Sequence, residues 1–254
     1  AATVFAIEVV TVGVLQYSAL VPCAIAALTA FEVAKLCGGH AEHFVVSGIP
    51  MFDFSGAWKI GLLALICAGF SVIFCKTLHG AEHLYKKYIK NPYIRIFVGG
   101  VLVILLAKIL GTTDYLGGGM NIVERAVEGE VIWAAFLLKL LFTAISLGAG
   151  YKGGEIVPTL FVGATLGCLY GQLIGFSPSL CAACGMLALF SAVTNSPLAT
   201  LLLGFELFGF EGMAFYLIAV AIGYMESGYF GLYHSQVVKY SKIEPEEINK
   251  RVEG

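Results

Sequence analysis

The sequence predicts an all-α, polytopic membrane protein with broken and tilted helices. Three observations carry that reading. Of 254 residues, 59% are hydrophobic and only 13% are charged, against about a quarter charged in soluble domains. Uncharged apolar runs recur at Val9–Phe31, Ile60–Cys75, Ile96–Ala107 and Ile156–Phe205. Several of these are shorter than the ~20 residues of a clean crossing, so the spans must tilt, break or re-enter.

Helices are expected near 1–10, 14–36, 57–88, 93–110, 131–149, 156–175, 181–193, 197–208, 211–228 and 232–246. The first runs to an acid, Glu8. The second, third and fourth follow the first three uncharged runs. The fifth carries Lys139 inside an apolar span, at a cost of about 2.5–3.5 kcal/mol if it faced lipid at mid-depth. Pro158 opens the sixth, and the Pro-Leu pair at 197–198 opens the eighth, which ends near Glu206. The segment 37–56 is a polar loop with His40, His43 and Asp53, and 111–130 is a loop containing Gly117, Gly118 and Gly119. No strand pattern is convincing.

The charge distribution sets an expected orientation. Lys76, Lys86, Lys87, Lys90 and Arg95 cluster in what reads as one loop; Lys239, Lys242, Lys250 and Arg251 cluster in the tail. No Lys or Arg lies between Lys152 and Lys239. By the positive-inside rule the 76–95 segment and the C-terminus face the cytoplasm. A basic loop between spans reads as topology, so no nucleic-acid partner is expected. Cys181 and Cys184 form a CxxC, but without a βαβ context or a second pair they read as small packing residues.

The segment Gly150–Gly167, GYKGGEIVPTLFVGATLG, concentrates the chemistry. A glycine pair, Gly153 and Gly154, precedes a lone acid, Glu155, and from Ile156 through Phe205 there is no charged residue or histidine. Helix starts expose unpaired N–H groups and carry roughly half a positive charge, so they attract anions. A glycine-rich helix start within a membrane is the pattern of a transporter's broken helix.

A faint internal repeat sets Glu8 against Glu206, with Ala1 on Ala199, Phe5 on Leu203, Ala6 on Gly204 and Tyr17 on Phe215. Each copy is a short apolar helix ending in an acid, then a second apolar helix. The second copy has a long forerunner, residues 57–198, that the first lacks. On that basis the chain is expected to be truncated at its N-terminus.

Four motifs together resemble the CLC family of chloride channels and anion/proton antiporters. GAGYKGGEIVP (Gly148–Pro158) is similar to the family's anion-site loop. GGGMNIV (Gly117–Val123) is similar to its triple-glycine motif. NSPLATLLLGFELFG (Asn195–Gly209) is similar to its Pro-Leu helix ending in an acid, and GLYHSQVV (Gly231–Val238) to the final helix with its anion-contacting tyrosine. The resemblance implies a CLC-type inverted-repeat helical fold in which each subunit of a homodimer has its own pore. Residues 1–36 would end the first repeat, 37–56 form an extracellular loop, 57–228 the second repeat, and 229–254 the final helix and cytoplasmic tail. It also implies a multi-pass protein of the plasma membrane, with a dimer interface through 1–36 and 197–228. The early helices with the family's serine anion loop and gating glutamate would be missing.

By the same resemblance, the anion site is carried by Gly153, Gly154, Glu155, Ile156 and Tyr233, with the amides of Glu155 and Ile156 and the hydroxyl of Tyr233 facing the anion. Chloride-type members usually have an apolar residue where Glu155 stands. An ionised carboxylate beside an anion repels it and is costly to bury, so Glu155 is expected to be protonated and to donate a hydrogen bond to the anion. The competing reading is an acid that caps the helix electrostatically. KGGE, TNSP and GFELFG resemble the fluoride/proton antiporter branch, although Val157 replaces a threonine of some fluoride members. Val9 stands where proton-coupled chloride exchangers have a second acid. Glu8 and Glu206 are either functional intramembrane acids or ordinary helix-end acids. Lys139 is expected to pair internally or to add positive potential near the anion path; the alternative is snorkelling to an interface.

The favoured expectation is therefore fluoride export coupled to proton entry, with fluoride or chloride, protons and the lipid bilayer as partners, no cofactor and no enzymatic activity. The alternatives are a chloride channel or chloride/proton exchanger, and, from a different class, a non-transporting membrane scaffold. One remote rival is the HxxEH motif of a zinc metalloprotease, since His79 and His83 with Glu82 share a helix face.

Overall fold

The computed structural model describes residues 1–39, 42–244 and 246–253; His40 of the polar loop lies outside them. A short helix α1 (Ala2–Glu8) leads through a two-residue strand β1 (Thr11–Val12) and one 3-10 turn (Tyr17–Ala19) into α2 (Leu20–Leu36). Helices α3 (Phe54–Tyr88), α4 (Pro92–Leu110), α5 (Met120–Val127), α6 (Ala135–Ala149), α7 (Ile156–Ile174), α8 (Pro178–Thr194), α9 (Pro197–Phe208) and α10 (Met213–Glu226) follow, and the chain ends in strands β2 (Val237–Tyr240) and β3 (Glu247–Arg251). Four of the helical segments are long and apolar enough to cross a membrane: Tyr17–Leu36, α3, α4 and α7.

Helix starts follow local chemistry. Asp53 accepts the Gly56 amide (2.6 Å) to cap α3, Asn91 caps α4 through the Tyr93 amide (3.0 Å), and Ser177 caps α8 through the Leu180 amide (3.3 Å). At 35 residues, α3 is roughly 52 Å long, longer than the ~30 Å hydrocarbon layer. The basic cluster read as a loop over 76–95 is instead the last turns of α3 and the first turn of α4, joined by residues 89–91.

The centre of the fold is the crossing of α7 and α8. Gly163, Gly167 and Gly171 recur every four residues on one face of α7. A Cβ at Gly167 would stand 2.1 Å from the Cys181 carbonyl oxygen, and one at Gly185 only 2.5 Å from the Gly163 carbonyl oxygen. The two backbones touch directly, as small residues permit between membrane helices. Cys181 and Cys184 are fully buried free thiols on α8, which is the packing role expected of them. By contrast, α2 and α4 leave almost all of their apolar surface uncovered, with Val21, Leu28, Phe97 and Ile104 each more than 60% exposed. Such faces need lipid or another protein surface against them.

Two further expectations fail. The loop over 111–130 contains a helix, α5, which starts after Gly119 in the left-handed region (φ 73°). A Cβ at Gly119 would press 2.8 Å from the Phe161 ring, so this glycine serves both the turn and the packing. The tail is not a helix over 232–246. Val237 and Val238 pair in parallel with Thr11 and Val12, and β2 pairs antiparallel with β3. The β-branched pair at 237–238 suits a strand, but β1 is too short for its pattern to show, and its partner lies more than 220 residues away.

Glu8 and Glu206, aligned by the sequence repeat, part company. Glu8 is 7% exposed and accepts the Leu198 and Ala199 amides (3.0 and 2.7 Å) at the start of α9. Glu206 is exposed. The α1–α2 and α9–α10 units remain alike in outline, each a short helix followed by a second apolar helix, and α1 packs against α9.

Candidate functional site

The site residues sit on a chain break between α6 and α7. Helix α6 stops at Gly150, which has φ 101°, and Arg95 donates from Nε to the Ala149 carbonyl (3.1 Å) to close its C-terminus. Tyr151 donates its hydroxyl hydrogen to the Ile96 carbonyl (3.0 Å). Residues 151–154 then run without helix to Glu155, the N-terminal boundary residue of α7.

The first bond of α7 is from the Thr159 amide to the Glu155 carbonyl (3.2 Å). Pro158 has no N–H, and the Glu155 side chain makes no capping bond. The amides of Glu155, Ile156 and Val157 thus precede the helical ladder, where helix geometry leaves them without intrahelical partners. Gly153 and Gly154 are exposed, and a Cβ at Gly154 would meet nothing within 4 Å. Glu155 and Ile156 are half-buried, Ile156 packing onto the apolar core.

Tyr233 approaches the site from the far end of the chain. Its neighbour Leu232 donates its amide hydrogen to the Val193 carbonyl at the end of α8 (3.0 Å), and the Leu232 carbonyl accepts from His79 Nε2 on α3 (3.1 Å). The Tyr233 carbonyl accepts the Gln236 amide (2.9 Å). The half-buried Tyr233 thus follows directly on the residue bound by His79, and His79 lines one cavity with Glu155. The sequence-predicted Gly153–Ile156 and Tyr233 are therefore brought together from segments nearly 80 residues apart.

Lys139 is placed elsewhere. It is 1% exposed, so it does not snorkel. Its Nζ donates to the carbonyls of Gly117 (2.6 Å) and Tyr115 (3.3 Å) and lies 5.0 Å from the Phe161 ring centre. Among the described residues no carboxylate is within ion-pair distance of it. It lines a cavity of about 680 Å³ together with Gly117, Gly153 and Gly154. Glu155 lines a different one, about 210 Å³, with His79, Glu82, Lys152 and Gly153. Lys139 and Glu155 thus flank the glycine pair from two sides rather than forming a pair.

The HxxEH motif makes no metal centre. Among the described residues, no group of three or more His, Cys, Asp or Glu is arranged to hold a metal ion. His79 uses Nε2 on the Leu232 carbonyl, and its ring lies against that of His234, centroids 3.8 Å apart. Glu82 pairs with Lys86 (2.5 Å). Sequence reading singled out this motif for zinc and missed His234, whose only signal was the adjacency of a histidine to Tyr233.

Comparison with known proteins bears on the family and the overall fold. The family model "Voltage gated chloride channel" matches residues 1–228. The chain belongs to the voltage-gated chloride channel (CLC) family. A "Chloride/fluoride channel protein" of Pseudomonas syringae is 32% identical over 98% of this chain and 57% of its own length. A "Putative chloride channel protein ClcB-like" of Ralstonia nicotianae is 31% identical over 82% of this chain and 50% of the relative. Among solved structures, that of "a CLC-type fluoride/proton antiporter" superposes with a TM-score of 0.84 at 27% identity, covering 91% of this chain and 59% of that one. The chain spans a little over half the length of these relatives. The CLC fold expected from the four motifs is the fold observed, and the chain is an integral membrane protein of that family.

Proposed function

We propose that this CLC chain forms one wall of an anion pathway, and that the protein containing it exports fluoride in exchange for protons. The observation that carries the reading is Glu155: an acid at the uncommitted start of α7, making no capping bond of its own and lining a cavity with His79 and Lys152. Fluoride is small and strongly hydrated, so the donors that replace its water must be strong and close. The free amides at 155–157 and the Tyr233 hydroxyl supply donors, and a protonated Glu155 supplies another. The same carboxyl, once it gives up its proton, repels the anion, which ties the two movements together. Gly153 and Gly154 bring the backbone to the anion without side chains in the way. Likeness to a structure described as a fluoride/proton antiporter supports this branch.

Lys139, in this reading, keeps its charge on the carbonyls of the glycine loop and adds positive potential from the far side of the Gly153–Gly154 pair. The protein works in the plasma membrane with the 76–95 segment and the tail in the cytoplasm, and its exposed α2 face meets lipid or a second subunit through 1–36 and 197–228.

The test is efflux from liposomes holding the full-length protein, with fluoride and chloride compared and internal pH followed. Fluoride efflux with stoichiometric proton uptake is expected; a clear chloride preference would sink the fluoride reading. Glu155→Gln keeps a donor but cannot titrate, so anion binding should persist while the pH dependence of transport flattens. A second reading, a chloride channel or exchanger, is favoured by relatives such as the "Voltage-gated ClC-type chloride channel ClcB" of Citrobacter koseri, 29% identical over 78% of this chain. Voltage-driven chloride flux without proton movement would establish it.

A further inference from the structure

Two polar side chains of α3, His79 and Glu82, line the Glu155 cavity. They are the two residues common to this cavity and to a second, outer one of about 450 Å³, whose wall also holds Lys76, His83, Lys86 and His234. These two residues therefore stand between the two spaces. Glu82 is committed, since its carboxylate accepts from Lys86 (2.5 Å).

His79 is not. A carbonyl oxygen can only accept, so the contact of Nε2 with the Leu232 carbonyl (3.1 Å) places the ring hydrogen on Nε2. Nδ1 is then a bare acceptor. It is a buried atom with no hydrogen-bond partner among the described residues. A buried acceptor left empty is costly unless water or a proton reaches it. Behind it stands His234, which is exposed, with its ring centre 3.8 Å away. Two positively charged imidazolium rings at that spacing would repel.

The charged and titratable surroundings complete the picture. On α3 itself, Cys75 and Lys76 lie one turn before His79, and Glu82 and His83 one turn after. From the segment beyond α10 come Tyr233 and His234, and from the α6–α7 link come Lys152 and Glu155. Of these, Glu155 is the acid that lines the shared cavity and makes no capping bond to its own helix.

Resting on the antiport reading above, we infer that His79 is the proton acceptor for Glu155, with His234 as its outlet to solvent. The Glu155 O–H bond breaks, the proton crosses water in the 210 Å³ space, and an N–H bond forms on His79 Nδ1. The Nδ1 hydrogen then leaves through the His234 ring or water of the outer cavity, restoring neutral His79 and leaving Glu155 ionised. No electron moves and no co-reactant is consumed.

The experiment uses full-length protein in liposomes with wild type, His79→Gln and His234→Gln. The glutamine amide at 79 still donates to the Leu232 carbonyl, so Tyr233 stays in place, and calorimetric fluoride binding reports that independently. The expected result for His79→Gln is an about 100-fold fall in coupled exchange, retained fluoride binding, and partial recovery when imidazole is added on the outer-cavity side. His234→Gln should shift the pH profile on that side with a smaller loss. Coupled exchange by wild type with an unchanged rate and pH profile in His79→Gln overturns the relay alone. Loss of both binding and exchange in His79→Gln, without recovery in imidazole, assigns the residue to holding Leu232 and also overturns it. Wild type without proton-coupled flux overturns the antiport reading and the relay with it.

Discussion

The Glu8 carboxylate accepts the amide hydrogen of Ala199 at 2.7 Å, and that of Leu198 at 3.0 Å, 190 residues along the chain. Helix α9 has no side-chain cap from its own Ser196. An acid from α1 does the capping instead, with its charge toward the positive end of the helix. This contact joins the first helical unit to the last.

Removing it should loosen that joint. Glu8→Ala leaves one buried amide, Ala199, and one part-buried amide, Leu198, unpaired and should lower stability by about 2–3 kcal/mol, while Glu8→Gln keeps an acceptor and should cost about 1 kcal/mol. Thermal melts of detergent-purified protein check the ranking; equal melting of Glu8→Ala and wild type would show that the cap carries no stability.

The α7–α8 contact makes a sharper prediction. Gly167→Ala puts a methyl carbon 2.1 Å from the Cys181 carbonyl oxygen, which only separation of the two backbones relieves. A loss of about 3 kcal/mol or more is expected. Gly69→Ala, an exposed helical position of α3 with nothing within 4 Å, should instead gain up to about 1 kcal/mol. Folded yield and melting temperature of the two variants should therefore diverge in sign.

Lys139 anchors the glycine loop. Lys139→Met retains bulk but strands the Gly117 and Tyr115 carbonyls, at a cost of about 2–3 kcal/mol. Hydrogen exchange should accelerate in residues 113–127 more than elsewhere. Uniform exchange in the variant would show that the loop holds itself.

Lys242 gives the tail a pH dependence. Its Nζ donates to Asn195 Oδ1 (2.5 Å), Ser227 Oγ (2.9 Å) and the Tyr224 carbonyl (2.9 Å), and burial pushes the ammonium down to about 7. The free side chain titrates near 10.4. Between those values the undocked tail binds more protons than the docked one, so docking strengthens as pH rises from about 7. Below about 7 both forms are protonated and the burial cost is present in full. Limited proteolysis of the 229–253 tail at pH 6 and pH 9 should show slower cleavage at the higher pH, and Lys242→Met should remove that difference. Cleavage that is faster at pH 9 would reverse the sign and refute the assignment.

The helices were legible because their signals are local. The boundaries of α9 match the expected 197–208, and α3, α4 and α7 fall within a few residues of expectation, since apolar runs, caps and prolines act within a turn or two. Helix α5 escaped because three glycines mask its start, yet its apolar residues at 122, 123, 126 and 127 repeat at helical spacing. The tail escaped because a strand is defined by its partner, and Thr11–Val12 is too short to announce itself. The GxxxGxxxG spacing at 163–171 was available in the sequence and reports the helix crossing directly.

The sequence by itself determined a membrane protein of the CLC family, the glycine-rich helix start at Gly153–Ile156, and the oddity of Glu155, because composition and motif spacing act without any neighbour. Only the tertiary structure decided what surrounds them. It set Glu8 to capping and left Glu206 exposed, although the two align in the repeat. It turned Lys139 toward the glycine loop and away from Glu155. It also moved His79 from a metal motif to a ring lying tilted against His234 beside the Glu155 cavity. Each of these choices depends on which distant group lies within about 4 Å, where hydrogen bonds and charges act, and no local pattern records that distance.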